Sequence, residues 1–251
     1  MLIAATGLSL PGLALAAALT FGAAAIRGLT GFGMAIILVP LLGLLMPPAQ
    51  AVVLGILLQL LIGPVGLGII LRDAHRSSAV PLSAVAMVMT PLGIAALTAV
   101  PPDVARLIIA LVALGAFAII LLPQLPAGHR PGRLAIGLTG AASGILNGFA
   151  AMPGPPVVPF YLRQSLDPAT ARASMMLVFF ATAIAGTLTA WWAGLVDAPL
   201  LTLAILLFAP MVLGNWLGGL VFGRIPTVLW RTIVGVVLGI AGIGAAVRLL
   251  T

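Results

Sequence analysis

Residues 8–46 form one apolar run, and the stretch GLTGFG, Gly28–Gly33, sits inside it. A membrane helix needs only about 20 apolar residues. A second long run, residues 134–162, is interrupted by MPGPP, Met152–Pro156. Each run is too long for one ordinary span, and glycine and proline at those points break a helix. Each predicts a broken helix, or a helix followed by a re-entrant half-helix.

Six other apolar runs read as simple spans: 50–71, 80–99, 104–123, 169–192, 198–221 and 228–249. Their separators, such as RDAHRSS, QLPAGHRPGR and GRIPT, combine charge with proline, glycine or serine and mark turns. The chain is 63% hydrophobic and 6% charged, whereas soluble domains carry about 25% charged residues. The expectation is an all-α polytopic membrane protein with about eight membrane segments and no separate extramembrane domain. The N-terminus has no positive charge before Arg27, so it reads as a retained first segment rather than a signal peptide.

The two broken regions resemble each other. Gly31-Phe32 matches Gly148-Phe149, and Val39-Pro40 matches Val158-Pro159. The echo continues from Pro48-Ala49-Gln50-Ala51 to Pro168-Ala169-Thr170-Ala171, from Pro91 to Pro210, and from Pro101 and Arg106 to Pro226 and Arg231. This predicts a duplication into repeats 1–125 and 126–251, four segments each, with the first segment of each repeat broken at the Gly/Pro motif. Paired broken helices point to a transporter.

On these motifs the chain resembles the sulfite exporter TauE/SafE family of membrane transporters. The first signature is GLTGFGMAIILVPLL, Gly28–Leu42, and the second is SGILNGFAAMPGPPVVPFYL, Ser143–Leu162. The second carries Ala150, Ala151, Met152 and Pro153 where the family has glycines. The resemblance covers the full length. It implies passage of small sulfur oxyanions, organic sulfonates or related anions across the cytoplasmic membrane.

A break creates a helix N-terminus, whose N–H groups and positive dipole end suit an anion, and glycine lets backbone approach closely. The candidate substrate-binding residues are therefore Arg27, Gly28, Thr30, Gly31, Phe32 and Gly33 in the first motif. In the second they are Asn147, Gly148, Phe149, Pro153, Gly154 and Pro155. Thr30 and Asn147 precede each Gly-Phe and could donate to an oxyanion. Arg27 has two readings of equal weight: a snorkelling interfacial cation, or an intramembrane cation that attracts the substrate. For Gly140, Gly144, Gly148, Gly214 and Gly218 the four-residue spacing favours helix packing. Gln59 and Asn215 also read first as packing residues, and Trp191, Trp192, Trp216 and Trp230 as an interfacial belt.

All eleven cations are arginine, and the four acids are Asp73, Asp103, Asp167 and Asp197. The net charge of +7 reads mainly as orientation. If each broken region returns to its starting side, the repeats are inverted. Arg72, Arg76, Arg130, Arg133, Arg163, Arg172, Arg224 and Arg231 then share the cytoplasmic side, against Arg106 and Arg248. If each region crosses once, the arginines divide evenly. The positive-inside rule prefers inverted repeats.

Cysteine is absent, and His75 and His129 lie far apart in polar loops. No metal site and no cofactor is expected, and the chain is not read as an enzyme. No acid falls within a span, so a carboxylate proton relay is not expected. An anion could leave down the membrane potential, worth about 2.3 kcal/mol per charge per 100 mV. The leading function is export of a small anion such as sulfite or an organosulfonate. The alternatives are an integral membrane enzyme acting on a lipid and a non-transporting scaffold subunit. The expected partners are the small anionic substrate and the lipid bilayer, with no nucleic acid; a homodimer is left open.

Overall fold

A computed structural model describes residues 6–121 and 132–220. The described residues form ten helices and no strand. In chain order these are α1 (Leu10–Thr30), α2 (Met34–Leu45), α3 (Pro48–Ile62), α4 (Leu67–Asp73) and α5 (Arg76–Ala99). They are followed by α6 (Pro102–Leu121), α7 (Arg133–Ala150), α8 (Gly154–Leu162), α9 (Pro168–Trp192) and α10 (Ala198–Leu220). Four of them, α1, α5, α9 and α10, are long and apolar enough to cross a membrane, or five spans result if the bent pair α3–α4 counts as one. The predicted span 228–249, with Arg224, Arg231, Arg248 and Trp230, lies outside the described residues, as do His129 and Arg130.

Local chemistry sets the helix ends. Ser9 caps α1 by accepting the Gly12 N–H at 3.3 Å. Asp167 caps α9, its Oδ1 accepting from Ala169 and Thr170 at 3.0 and 3.1 Å. Asp197 does the same for α10 through Leu200 at 2.8 Å. These caps satisfy N–H groups that a helix start leaves without partners. The expected span 50–71 is not one helix. It divides into α3 and α4, bent by 82°. The cause is Gly63-Pro64-Val65-Gly66: Pro64 has no N–H to continue the ladder, and Gly66 takes φ +78.

Lipid gives helices little hydrophobic reason to associate, so close backbone packing must hold them. Two glycine seams do this. In one, Gly140, Gly144 and Gly148 of α7 meet Leu82, Ala86 and Thr90 of α5 in rising order. In the other, Gly214 and Gly218 of α10 meet Phe21 and Ala25 of α1, and Gly28 meets Asn215. Both orders rise together, so each helix pair runs parallel. The first helix of each half is thus packed against a later helix of the other half.

Two groups of contacts fix the ends of the bundle. At the first end, Thr6, Gly7 and Leu8 line a cavity of about 250 Å³ with Leu45, Met46, Pro47, Asp197 and Pro199. The α1–α2 pair therefore begins and finishes at the same end. At the second end, the His75 N–H donates to Ser174 Oγ at 2.9 Å, and Ser78 Oγ donates to the Tyr161 hydroxyl at 3.3 Å. These bonds join the start of α5, the end of α8 and the start of α9. Because α7 runs parallel to α5, the α7–α8 pair also returns to its starting end.

Candidate functional site

The first break spans Gly31–Gly33. Gly31 ends α1 at φ +84, with its N–H on the Arg27 carbonyl at 2.6 Å. Gly33 opens α2 at φ +92 and offers no side-chain cap. Both angles lie where a Cβ is strained. The second break is built from other residues. Ala151 ends α7 at φ +56, a conformation few non-glycine residues adopt, and Pro153 precedes α8.

The two breaks meet at one cavity of about 30 Å³. The first break contributes Arg27 and the segment Phe32–Ile36; the second contributes Met152, Pro153 and Gly154; Gln59 of α3 and Phe179 of α9 complete the wall. That volume holds about one or two waters, so an oxyanion enters only if the walls part. Gln59 and Phe179 stand at equal offsets from Pro48 and Pro168, which open α3 and α9. The wall is chemically lopsided. The first half brings a guanidinium, an amide and the first-turn N–H groups of α2. The second half brings Met152, Pro153, Phe179 and a helix start in which Pro155 and Pro156 supply no N–H.

Arg27 dominates the electrostatics. It is 8% exposed, and its Nη1 donates to Asn215 Oδ1 at 2.9 Å. The partner is neutral. No aspartate approaches it: Asp73 ends α4, Asp103 lies in the first turn of α6, and Asp167 and Asp197 cap α9 and α10. Asp73 pairs with Arg72 and Asp103 with Arg106. A buried charge is costly unless compensated, and a dipole compensates only partly. Arg27 lies in the last turn of α1 and is covered by protein. Arg106, whose Nε donates to the Gly43 carbonyl at 2.9 Å, lies at a bundle end.

Of the expected site residues, Arg27, Phe32, Gly33, Pro153 and Gly154 line the cavity. The others lie off that wall. Gly28 is not in a loop but inside α1, pressed on the backbone of Asn215. Gly148 is likewise a seam glycine against Thr90. Gly31 makes room for the Arg172 side chain. The Thr30 hydroxyl bonds the carbonyls of Ile26 and Phe32, at 2.8 and 2.7 Å, and so closes the turn. Asn147 is fully buried; its Nδ2 donates to the Thr182 carbonyl at 3.0 Å, and its Oδ1 has no hydrogen-bond partner among the described residues. Phe149 is buried in the core, and Pro155 lies in the first turn of α8 away from the cavity wall. Sequence reasoning treated Gln59 as a packing residue, and it is partly that, since Nε2 donates to the Ala151 carbonyl at 2.9 Å. It also faces the cavity. Met34, Met152 and Phe179 line the cavity without having been expected there, and the equal offsets of Gln59 and Phe179 are the signal in the sequence.

A helical membrane bundle with a buried cation between two helix breaks belongs by architecture with the membrane transporters. The chain belongs to the sulfite exporter TauE/SafE family, whose model matches residues 15–245. That family is one of transporters, not enzymes. Over 93 residues the chain is 30% identical to a Cupriavidus necator protein named "Probable sulfite/organosulfonate exporter TauE". The match spans 37% of this chain and 36% of that relative. No solved structure matches the chain.

Proposed function

We propose that this protein exports a small anion, such as sulfite or an organosulfonate, across the cytoplasmic membrane, and that it holds the anion between the two helix breaks. One observation carries the reading: Arg27 is buried at the cavity where the breaks meet, and every carboxylate side chain of the protein lies elsewhere. A bound anion completes its compensation. The N–H groups at the start of α2 add donors without a counter-charge.

The accompanying architecture is two inverted repeats, 1–125 and 126–251, of four segments each. The reciprocal seams α1–α10 and α5–α7 support it, as do two hairpins that return to opposite ends. Arg72, Arg76, Arg133, Arg163 and Arg172 gather at the second end, whereas Arg106 stands at the first. By the positive-inside rule the second end is cytoplasmic. Export then follows the membrane potential, with the inside negative.

Flux into proteoliposomes tests the function. Sulfite, sulfate, thiosulfate, taurine and ethanesulfonate are compared under an imposed potential, for wild type and Arg27→Ala. The expected result is saturable, potential-sensitive flux of at least one anion, reduced about 10- to 100-fold in the variant, as for loss of a charged hydrogen-bond donor. Undiminished flux in a well-folded Arg27→Ala protein moves the site elsewhere. Flux of none of the anions by wild type rejects the transport reading.

A further inference from the structure

A second guanidinium reaches the end of α1. Arg172 lies in the second turn of α9, close to the second end of the bundle. Its Nη2 donates to the Gly28 carbonyl at 2.9 Å. Its stem lies across Gly31, where an added Cβ would stand 2.7 Å from Arg172 Cγ and 3.0 Å from Nε. Gly28 follows Arg27 directly in α1, so the bond brings the Arg172 guanidinium to the same helix turn as Arg27. Arg172 is half-buried and Arg27 is buried. The cations are therefore graded, from the end that carries most arginines inward to the cavity.

Two like charges held side by side raise each other's energy, and an oxyanion between or beside them lowers it. The bond to the Gly28 carbonyl uses one N–H of the guanidinium. The left-handed glycine at Gly31 goes further, because it clears a path for a whole arginine stem to the Arg27 turn.

We propose that Arg172 forms a second oxyanion subsite, on the cytoplasmic side of the central cavity, that receives the anion first and passes it to Arg27. This inference rests on the transport reading above. The subsite recognises the charged oxygen face of the substrate, as sulfite and sulfonates both present it. Its consequence is sided. An anion arriving from the cytoplasm meets Arg172 before Arg27, whereas one arriving from outside meets Arg27 first.

The test compares membrane vesicles of both orientations, with vesicles from the same cells lacking the protein as blank. Uptake of radiolabelled sulfite and of ethanesulfonate is measured for wild type, Arg172→Gln and Arg172→Lys. Inside-out vesicles present the cytoplasmic face. The expected result for Arg172→Gln is a half-saturating concentration about tenfold higher on that face and an unchanged one on the outer face, with the maximal rate of uptake from the outer face lowered in proportion, because the ratio of maximal rate to half-saturating concentration in the two directions is fixed by the equilibrium. Arg172→Lys keeps the charge and restores most of the cytoplasmic value. It also serves if the glutamine variant fails to insert, since any residual rise in the half-saturating concentration must again be confined to the cytoplasmic face. An equal rise on both faces, or none on either, makes Arg172 a lock on α1 and overturns the subsite while leaving the transport reading intact. No flux by wild type removes the transport reading, and the subsite with it.

Discussion

Arg27 of α1 donates from Nη1 to Asn215 Oδ1 of α10 at 2.9 Å, across a seam in which Gly28 brings the two backbones together. The bond orients a buried cation without neutralising it. A carboxylate at position 215 would do both. Asn215→Asp should fold at least as well as wild type, because it supplies the missing counter-charge. It should cut anion flux by about tenfold or more, because the substrate then competes with a built-in anion. Thermal unfolding in detergent together with flux checks this. A stable Asn215→Asp protein with normal flux would show that Arg27 does not meet the substrate.

The seams make a contrast among glycines. An alanine Cβ at Gly148 or Gly28 would enter the van der Waals shell of the Thr90 or Asn215 carbonyl, and neither backbone can step aside alone. Each substitution should destabilise by about 1–3 kcal/mol, the usual cost of overpacking. Gly22 and Gly137, also helical, have no neighbour among the described residues where a Cβ would go, so alanine there should be neutral or slightly stabilising. Thermal unfolding of the four variants reads this directly.

Gly31 carries a double constraint, φ +84 and the Arg172 stem, whereas among the described residues a Cβ at Gly33 (φ +92) would meet Ile26 alone, at 3.7 Å. Gly33→Ala should cost about 1–2 kcal/mol of backbone strain. Gly31→Ala should cost more, and the excess should shrink in the Arg172→Ala background. A double-mutant cycle measures that coupling.

The two ends of the bundle differ. The second is tied by the bonds from His75 to Ser174 and from Ser78 to Tyr161, whereas the first holds a cavity of about 250 Å³ between Met46 and Asp197. The chain has no cysteine, so single cysteines report cleanly. Met46→Cys should react readily with a membrane-impermeant thiol reagent added outside. Ser174→Cys should react slowly from the cytoplasmic side, and faster when Tyr161→Phe removes one tie. Equal rates in the two backgrounds would mean that the ties do not close that end.

Much of this was legible in the sequence. Four of the expected positions, Gly31, Phe32, Gly33 and Pro153, lie in the breaks themselves, and helices end at Thr30 and Ala150, as the glycine and proline runs dictate. The bend at Gly63–Gly66 was passed over because hydropathy alone runs smoothly through it. The site was only half legible. Periodicity cannot tell a glycine that clears a neighbouring helix, such as Gly28 or Gly148, from one that frees a loop. Nor can it show that Thr30 and Asn147 turn their polar atoms on the backbone. Gln59 and Phe179 reach the cavity because α3 and α9 cross beside the breaks, and that is a property of packing.

The most direct test of the central claim is substrate protection of one cysteine at the cavity wall. Met152→Cys is placed between the breaks, and its rate of modification by a small thiol reagent is measured with and without the transported anion. With the anion at ten times its dissociation constant, the account predicts modification about tenfold slower, and no protection when Arg27→Gln is added. Modification that proceeds at the same rate with and without the anion would contradict a substrate site between the two helix breaks.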